Sequence, residues 1–219
     1  MTERGMIFNG DMVRAILDGR KTQTRRPVKF PVHDKNLGCE LAGNELAGEL
    51  SAGNYLNSAF GKPGDRIWVR ETFQGPLFDY DLMDSYCKDP TPFEKPEFCV
   101  YKADGVPAPE FYDADDELHC CWRPSIHMPR WASRILLEIT DVRVERLNAI
   151  SEEDARAEGI IDGGCLNCGE PEPCGCVNPE PDATDAFAYL WQSIYGQESW
   201  NANPWVWVIE FERVEGGAA

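Results

Sequence analysis

The chain has 219 residues, of which 42% are hydrophobic, and its formal net charge is −17 because 38 Asp and Glu residues outnumber 21 Lys and Arg residues. Long duplex nucleic acid is disfavoured as a partner, since binding to it depends on many contacts between basic side chains and phosphates. No stretch approaches the roughly 18 apolar residues of a membrane-spanning helix, and the amino terminus lacks the apolar run of a secretory signal. We therefore expect a soluble, cytoplasmic protein with no membrane partner.

The first elements are a strand at residues 6–8 and a helix that begins at Asn9 or Asp11 and ends near Asp18, with Gly19 as its stop. Residues 19–27 follow, and we call them the basic segment. Pro27 favours an extended loop here. Residues 1–30 hold seven Lys and Arg residues against three acids. A basic segment in an acidic chain predicts contact with an anionic or oxygen-rich partner. Its candidate substrate-binding residues are Arg20, Arg25 and Arg26.

The middle of the chain is less regular. Residues 33–60 show no clear period, and residues 61–65 are a strong turn signal. A strand is predicted at 67–73, with Glu71 on its otherwise apolar face. A buried acid needs a basic partner, so Glu71 is either a substrate contact or one half of an ion pair with an arginine of the basic segment. Residues 74–120 are an acidic, proline-containing insertion.

The pattern becomes regular again near the carboxyl terminus. Strands are predicted at 134–140 and 142–147, and a helix begins at Ser151 with Asp154 as the distal partner of a capping box. A second insertion covers 162–182, a helix covers 183–195, and the last strand covers 205–211, before a tail at 215–219. Helices placed between strands predict an α+β fold, a small mixed β-barrel flanked by helices and formed as a single domain over 1–214.

Nine cysteines are present, an odd number in a chain without an export signal, which fits reduced thiols or metal ligands better than disulfides. Four of them lie in the second insertion with the short spacings that can surround a tetrahedral zinc ion. The second pair has one intervening residue rather than two, so metal-free thiols remain an alternative. The spacing implies no catalytic metal. The candidate structural zinc ligands are Cys165, Cys168, Cys174 and Cys176.

Several motifs occur in the order found in ASCH domains, and the chain resembles that family. The motifs are Gly19-Arg-Lys-Thr-Gln-Thr24 after a helix, Gly64-Asp65 before a strand, Ile150-Ser-Glu-Glu-Asp-Ala-Arg-Ala-Glu158, and a terminal strand rich in Trp, Val and Ile. The segment 122–134 resembles a longer subgroup common in phage and prophage genomes. The resemblance implies a PUA-like β-barrel, covers roughly residues 1–32, 61–73, 122–161 and 183–213, and does not cover the two insertions.

The family includes a bacterial amidohydrolase that removes the acetyl group from N4-acetylcytidine. By motif position, the resemblance implies a catalytic set of Lys21, Thr24 and Glu158, with Arg26 helping to hold substrate. The chain departs from that enzyme at Arg25, where an apolar residue is usual. Other family members are ribonucleases or RNA-binding modules, so fold alone does not decide the activity.

The residue chemistry is consistent with amide hydrolysis. Thr24 offers a hydroxyl nucleophile, and Glu158 offers an acid for the departing nitrogen. Lys21 is crowded by arginines and partly buried, so its pKa should be lowered, as a general base requires. The alternative is that the basic segment is a solvated face in which Thr24 caps a turn and Glu158 is a surface acid.

These observations predict a protein that binds a nucleoside, a nucleotide or a short single-stranded RNA, and that hydrolyses an N-acyl group of a modified base. Three alternatives stay open: a non-catalytic RNA-binding module, a ribonuclease of the same fold, and an acidic phage accessory protein that binds a host protein.

Overall fold

A computed structural model describes residues 1–113, 117–161, 175–177 and 183–214. Among these, the helices are α1 (Gly10–Leu17), α2 (Gly43–Ser51), α3 (Met83–Lys88), α4 (Glu152–Ala157), α5 (Ala183–Tyr195) and α6 (Gln197–Asn201). The strands are β1 (Glu3–Ile7), β2 (Gln23–Pro27), β3 (Val32–His33), β4 (Glu40–Leu41), β5 (Arg66–Arg70), β6 (Phe73–Gln74), β7 (Val100–Tyr101), β8 (Glu110–Tyr112), β9 (Leu118–Cys120), β10 (Leu136–Arg146) and β11 (Trp205–Arg213).

Five of the described strands form one mixed sheet in the order β1-β5-β10-β11-β2. β1 runs parallel to β5, while β10 is antiparallel to β5 and β11 is antiparallel to β2. The predicted α+β class is therefore confirmed. Within the described part of the chain the sheet is open rather than a closed barrel, because β1 and β2 each have one strand neighbour.

The chain divides into two compact units. The first contains Met1–Leu17, Arg66–Glu138 and the chain from Arg213, and the second contains Asp18–Asp65 and Ile139–Glu212. Every helix in the described residues falls short of the length and apolar character needed to cross a bilayer.

The core of the second unit forms where α4 and α5 pack against β11. Its buried side chains include Phe187 and Trp191 from α5 and Val206 and Val208 from β11. The helical spacing of the apolar residues in 183–195 predicts this helix correctly, and Phe187 and Trp191 lie on its buried face, whereas Ile194 is exposed.

The second unit also has a close junction between its two chain segments. The N–H of Ile139 donates to the carbonyl of Asp65 at 2.8 Å, and the N–H of Gly64 donates to the carbonyl of Ile139 at 2.8 Å. Residues 65 and 139 are therefore direct neighbours, although the whole of Arg66–Glu138 separates them in sequence.

The structure corrects three predictions of local structure. Most of the basic segment is a strand rather than a loop, because residues 23–27 pair in register with β11. The two strands predicted at 134–140 and 142–147 are one continuous strand, β10, which runs through Asp141. α2 was not predicted, since its Gly and Asn residues have low helix propensity.

Candidate functional site

Lys21 and Glu158 form a buried ion pair in the second unit. Lys21 Nζ donates to Glu158 Oε2 at 2.5 Å and to the backbone carbonyl of Glu158 at 2.8 Å. The side chains are 0% and 3% exposed. Backbone pairing holds them together, because Lys21 and Glu158 form an antiparallel bridge and the N–H of Thr22 donates to the carbonyl of Ala157 at 2.9 Å. The structure thus brings together two of the three predicted catalytic residues.

Burial lowers the pKa of Lys21 from its ordinary value of 10.5. Glu158 opposes this effect, and the positive charges of Arg26 and Arg25 add to it. The predicted direction is confirmed, but desolvation is the main cause and crowding by arginines is the smaller one. A lysine in this setting releases its proton more readily than one in water.

Thr24 is buried on β2, where it lies opposite Ile209 of β11. Because side chains alternate along a strand, Thr24 and Arg26 share one face of β2, and Gln23 and Arg25 share the other. The contact between Arg25 and Glu158 puts the Glu158 carboxylate on the Gln23 and Arg25 side. Among the described residues, Thr24 Oγ1 has no hydrogen-bond partner, so its hydroxyl is bonded to neither Lys21 nor Glu158.

Arg25 is fully buried and surrounded by acids. Its guanidinium donates to Glu145 Oε1 at 2.7 Å and lies 3.2 Å from Asp154 Oδ2 and 3.5 Å from Glu158 Oε1. It also donates to the side chain of Gln23. Arg25 thus lies beside the Glu158 carboxylate as a positive charge, without a hydrogen bond to Glu158 Oε1.

A second arginine extends this polar network, which the sequence did not reveal. Arg143 of β10 pairs with Glu210 of β11 and donates to Asp154 Oδ1 at 3.2 Å and to Glu145 Oε2 at 3.4 Å. The available signal was the alternation of charged residues with buried valines at 141–145 in β10, which marks one polar and one apolar face. The alternation does not say which distant residues complete the network.

The other two arginines of the basic segment lie in different surroundings. Arg20 is exposed, where it pairs with Asp18 at 2.9 Å and donates to the carbonyl of Gly159 at 3.1 Å. Arg26 is half-buried opposite Trp207 of β11 and lines a cavity of about 530 Å³.

Glu71 lies in the first unit, in the turn after β5, and is 1% exposed. Both of its carboxylate oxygens accept from Arg134, at 3.0 and 3.1 Å. Arg134 also donates to Asp104 and stacks on the Tyr101 ring, 3.9 Å from its centroid. Burial raises the pKa of Glu71, and the hydrogen bonds and charge of Arg134 oppose the rise. The ion pair is confirmed, but its partner is Arg134 and not an arginine of the basic segment.

Three of the candidate zinc ligands, Cys165, Cys168 and Cys174, lie outside the described residues, so the predicted zinc site stays a prediction. Elsewhere, ligand atoms of Asp113, Glu117 and His119 lie within 4.8 Å of one another. His119 Nε2 is already 2.7 Å from Asp113 Oδ2 and stays accessible to solvent, which is ordinary for a surface pair.

The ASCH resemblance rests on the sequence motifs quoted above. No protein-family model, no curated protein and no solved structure matches the chain.

Proposed function

We propose that the chain is a PUA-like ASCH protein that hydrolyses the N-acyl group of a modified nucleobase, with N4-acetylcytidine as the model substrate. The observation that carries the proposal is the contact between Lys21 and Glu158. These residues are 137 positions apart, and the resemblance gives both a catalytic role. A buried pair at those two positions supports a shared site more strongly than either residue does alone.

The pair can hold its proton in two ways. With the proton on Lys21 it is an ammonium–carboxylate ion pair, and with the proton on Glu158 it is an amine and a carboxylic acid. The second form supplies a base and an acid at once, without a change of net charge. Burial lowers the pKa of Lys21, which makes its amine form easier to reach.

In the proposed reaction, Lys21 Nζ takes the hydroxyl proton of Thr24, and Thr24 Oγ1 attacks the amide carbonyl carbon. The bond from carbon to the base nitrogen breaks, that nitrogen takes the proton of Glu158, and an acyl ester remains on Thr24. A water molecule then gives a proton to the Glu158 carboxylate and attacks the ester. Thr24 recovers its proton from Lys21, which returns every group to its starting form.

Two geometric requirements follow from the structure without ligand. Lys21 and Thr24 are buried, so the reaction requires an opening that exposes both side chains to substrate. Thr24 lies on the face of β2 opposite to the Glu158 carboxylate, so β2 must also rearrange to bring Thr24 Oγ1 within hydrogen-bond reach of Lys21 Nζ. Catalytic hydrogen bonds are often formed only when substrate is bound.

The test is turnover of N4-acetylcytidine by the wild type and by Lys21→Met, Thr24→Val and Glu158→Gln. We expect kcat/KM to fall about 100-fold or more in each, the usual size of a lost acid–base group. Lys88→Met and Thr91→Val change the same residue types at exposed positions and should keep full activity. Circular dichroism and urea unfolding establish which variants are folded. No turnover by folded wild type over a panel of acylated nucleosides would refute the proposal.

The complete burial of Lys21 and Glu158 favours one second candidate, a non-catalytic module for nucleosides or short RNA in which the pair only stabilises the fold. This candidate predicts binding of short single-stranded RNA that weakens steeply with salt, with no hydrolysis. Lys21→Met would then lower stability without changing any reaction.

A further inference from the structure

The second unit contains a cavity of about 530 Å³ that the reaction above does not use. We call it the aromatic pocket. This volume lies within the range of about 300–1,000 Å³ for small-molecule sites. The residues that matter here are Arg26, Lys29, Asn57, Phe60, Tyr195 and Trp207.

We infer that the aromatic pocket binds a nucleoside 5′-monophosphate, with the base against its rings and the phosphate on its cations. The inference rests on the proposed function and deepens it, since it makes a phosphorylated nucleoside the preferred ligand. Two of its walls, Asn57 and Phe60, come from a part of the chain that the ASCH resemblance does not cover.

Three rings form the apolar side of the pocket. Phe60 packs edge-on against Trp207, with 5.8 Å between ring centroids and 69° between ring planes. Trp207 is only 3% exposed, whereas Phe60 is half-buried and Tyr195 is 36% exposed. Phe60 and Tyr195 therefore offer accessible ring surface for a base, and stacking of this kind is worth about 1–3 kcal/mol per base.

The charge of the pocket differs in sign from that of the chain. Its described lining contains Arg26 and Lys29 and no Asp or Glu, although the net charge of the protein is −17. Lys29 is exposed, so a phosphate in solution can reach its ammonium group directly. This pair of cations selects an anionic ligand over a neutral nucleoside.

The Asn57 side of the pocket repels anions. Asn57 Nδ2 donates to Asp34 Oδ2 at 3.2 Å and to Glu49 Oε2 at 2.8 Å, and its oxygen accepts from the Lys35 N–H at 3.0 Å. Both donors of the amide are therefore taken by carboxylates, which add negative charge beside Asn57. We therefore place the phosphate at Arg26 and Lys29 and not at Asn57.

The position of Arg26 links the pocket to the proposed chemistry. Arg26 and Thr24 share a face of β2 and are separated by about 6.6 Å along the strand. A ligand held by Arg26 thus lies on the strand face that carries the Thr24 hydroxyl. That hydroxyl is buried and has no hydrogen-bond partner in the described part of the chain.

Calorimetric titration with cytidine 5′-monophosphate and with cytidine tests the inference. Neither probe has an acyl group, so binding is measured apart from turnover. We expect the monophosphate to bind at least tenfold more tightly than cytidine, and its affinity to fall as salt is added. Lys29→Met should remove the preference and keep cytidine binding, while Tyr195→Leu should weaken both ligands by a similar factor.

The matched controls are Lys88→Met and Tyr80→Leu, which remove exposed side chains of the same types and should change neither affinity. Equal affinity for the two probes, or monophosphate binding that survives both pocket substitutions, would overturn the inference. Binding without turnover of acylated nucleotides would refute the hydrolase and leave the pocket standing. Turnover without any preference for the phosphorylated substrate would support the hydrolase and overturn the inference about the pocket.

Discussion

Neither partner of the Lys21–Glu158 pair reaches solvent, so each charge depends on the other for compensation. Replacing both members of such a pair with apolar residues is often nearly neutral, whereas removing one leaves an uncompensated charge. The pair therefore has an energetic signature that can be measured separately from catalysis.

Lys21→Met should lower the free energy of unfolding by about 3–5 kcal/mol, because it leaves the Glu158 carboxylate buried with only the more distant Arg25. The double variant Lys21→Met/Glu158→Leu should recover much of this loss. Urea unfolding of the wild type, both single variants and the double variant measures the coupling. Additive losses would contradict the pairing, and Lys88→Met reports the effect of a surface lysine.

A second prediction concerns how the stability of the fold depends on pH, and it rests on Glu71. Its pKa in the folded chain lies above 4.5, because burial outweighs Arg134. Between 4.5 and the folded value, the folded state binds more protons than the unfolded state, so the contribution of Glu71 to stability falls as pH rises through that window.

Glu71→Gln should remove this fall. Urea midpoints measured at intervals from pH 4.5 to neutrality should therefore decline less with pH in Glu71→Gln than in the wild type. Glu94→Gln, at an exposed position, serves as the control and should keep the wild-type slope. Parallel curves for wild type and Glu71→Gln would show that Glu71 titrates normally.

The sequence indicated which residues belong to the candidate site better than it indicated which residues contact one another. The motif resemblance placed Lys21 and Glu158 at one site, and they are in contact. The burial of Arg25 was not foreseen, because an arginine among other basic residues suggests an exposed position. Its partner Glu145 lies 120 residues away, and no local pattern encodes such a pairing.

Among the elements, the sequence predicts α5 with its observed bounds, whereas its prediction of a loop at β2 is wrong. The difference has a physical cause. α5 has a full period of apolar residues within itself, whereas β2 contains mostly polar residues and becomes a strand only by pairing with β11. Local sequence therefore defines the helix, and tertiary pairing defines the strand.

α4 matters because Glu158 directly follows it. Ser151 caps this helix by accepting from the Asp154 N–H at 3.1 Å, while the Asp154 carboxylate faces Gln23 and Arg25 instead of completing the predicted box. Only the Ser151 half of the capping box is therefore confirmed.

Ser151→Ala should lower the free energy of unfolding by about 1 kcal/mol, the usual cost of a lost N-cap. The substitution removes a hydroxyl acceptor and leaves an unsatisfied N–H at the start of α4. Thermal or urea unfolding measures the loss. Ser85→Ala, an exposed serine in α3, should have little effect, and an equal effect of the two substitutions would argue against a specific cap.

For the whole molecule, the dominant quantity is the net charge of −17. Repulsion among surface acids destabilises the compact state, and salt screens it over a Debye length of about 10 Å at 0.1 M. The buried pair of Lys21 and Glu158 is screened far less.

We therefore expect the melting temperature to rise by several degrees between about 0.02 M and 0.5 M sodium chloride, a range over which the screening length shortens severalfold. Sorbitol at matched osmolarity controls for general solute effects. A melting temperature that falls with sodium chloride would mean that attractive surface pairs, such as Arg134 with Asp104, outweigh the repulsion.

The hydrogen bonds that join Gly64 and Asp65 to Ile139 have a consequence for deletion experiments on the protein. The chain leaves the second unit after Asp65 and re-enters it at Ile139, and those two residues are bonded to each other. A turn of a few residues would therefore suffice to join them after excision of Arg66–Glu138. The whole acidic insertion at 74–120 would be deleted with that excursion, while Lys21, Glu158 and the aromatic pocket would all remain encoded. β1 would lose its partner β5 in such a deletion, but the residues of the proposed chemistry lie in the sequence that the deletion would leave behind.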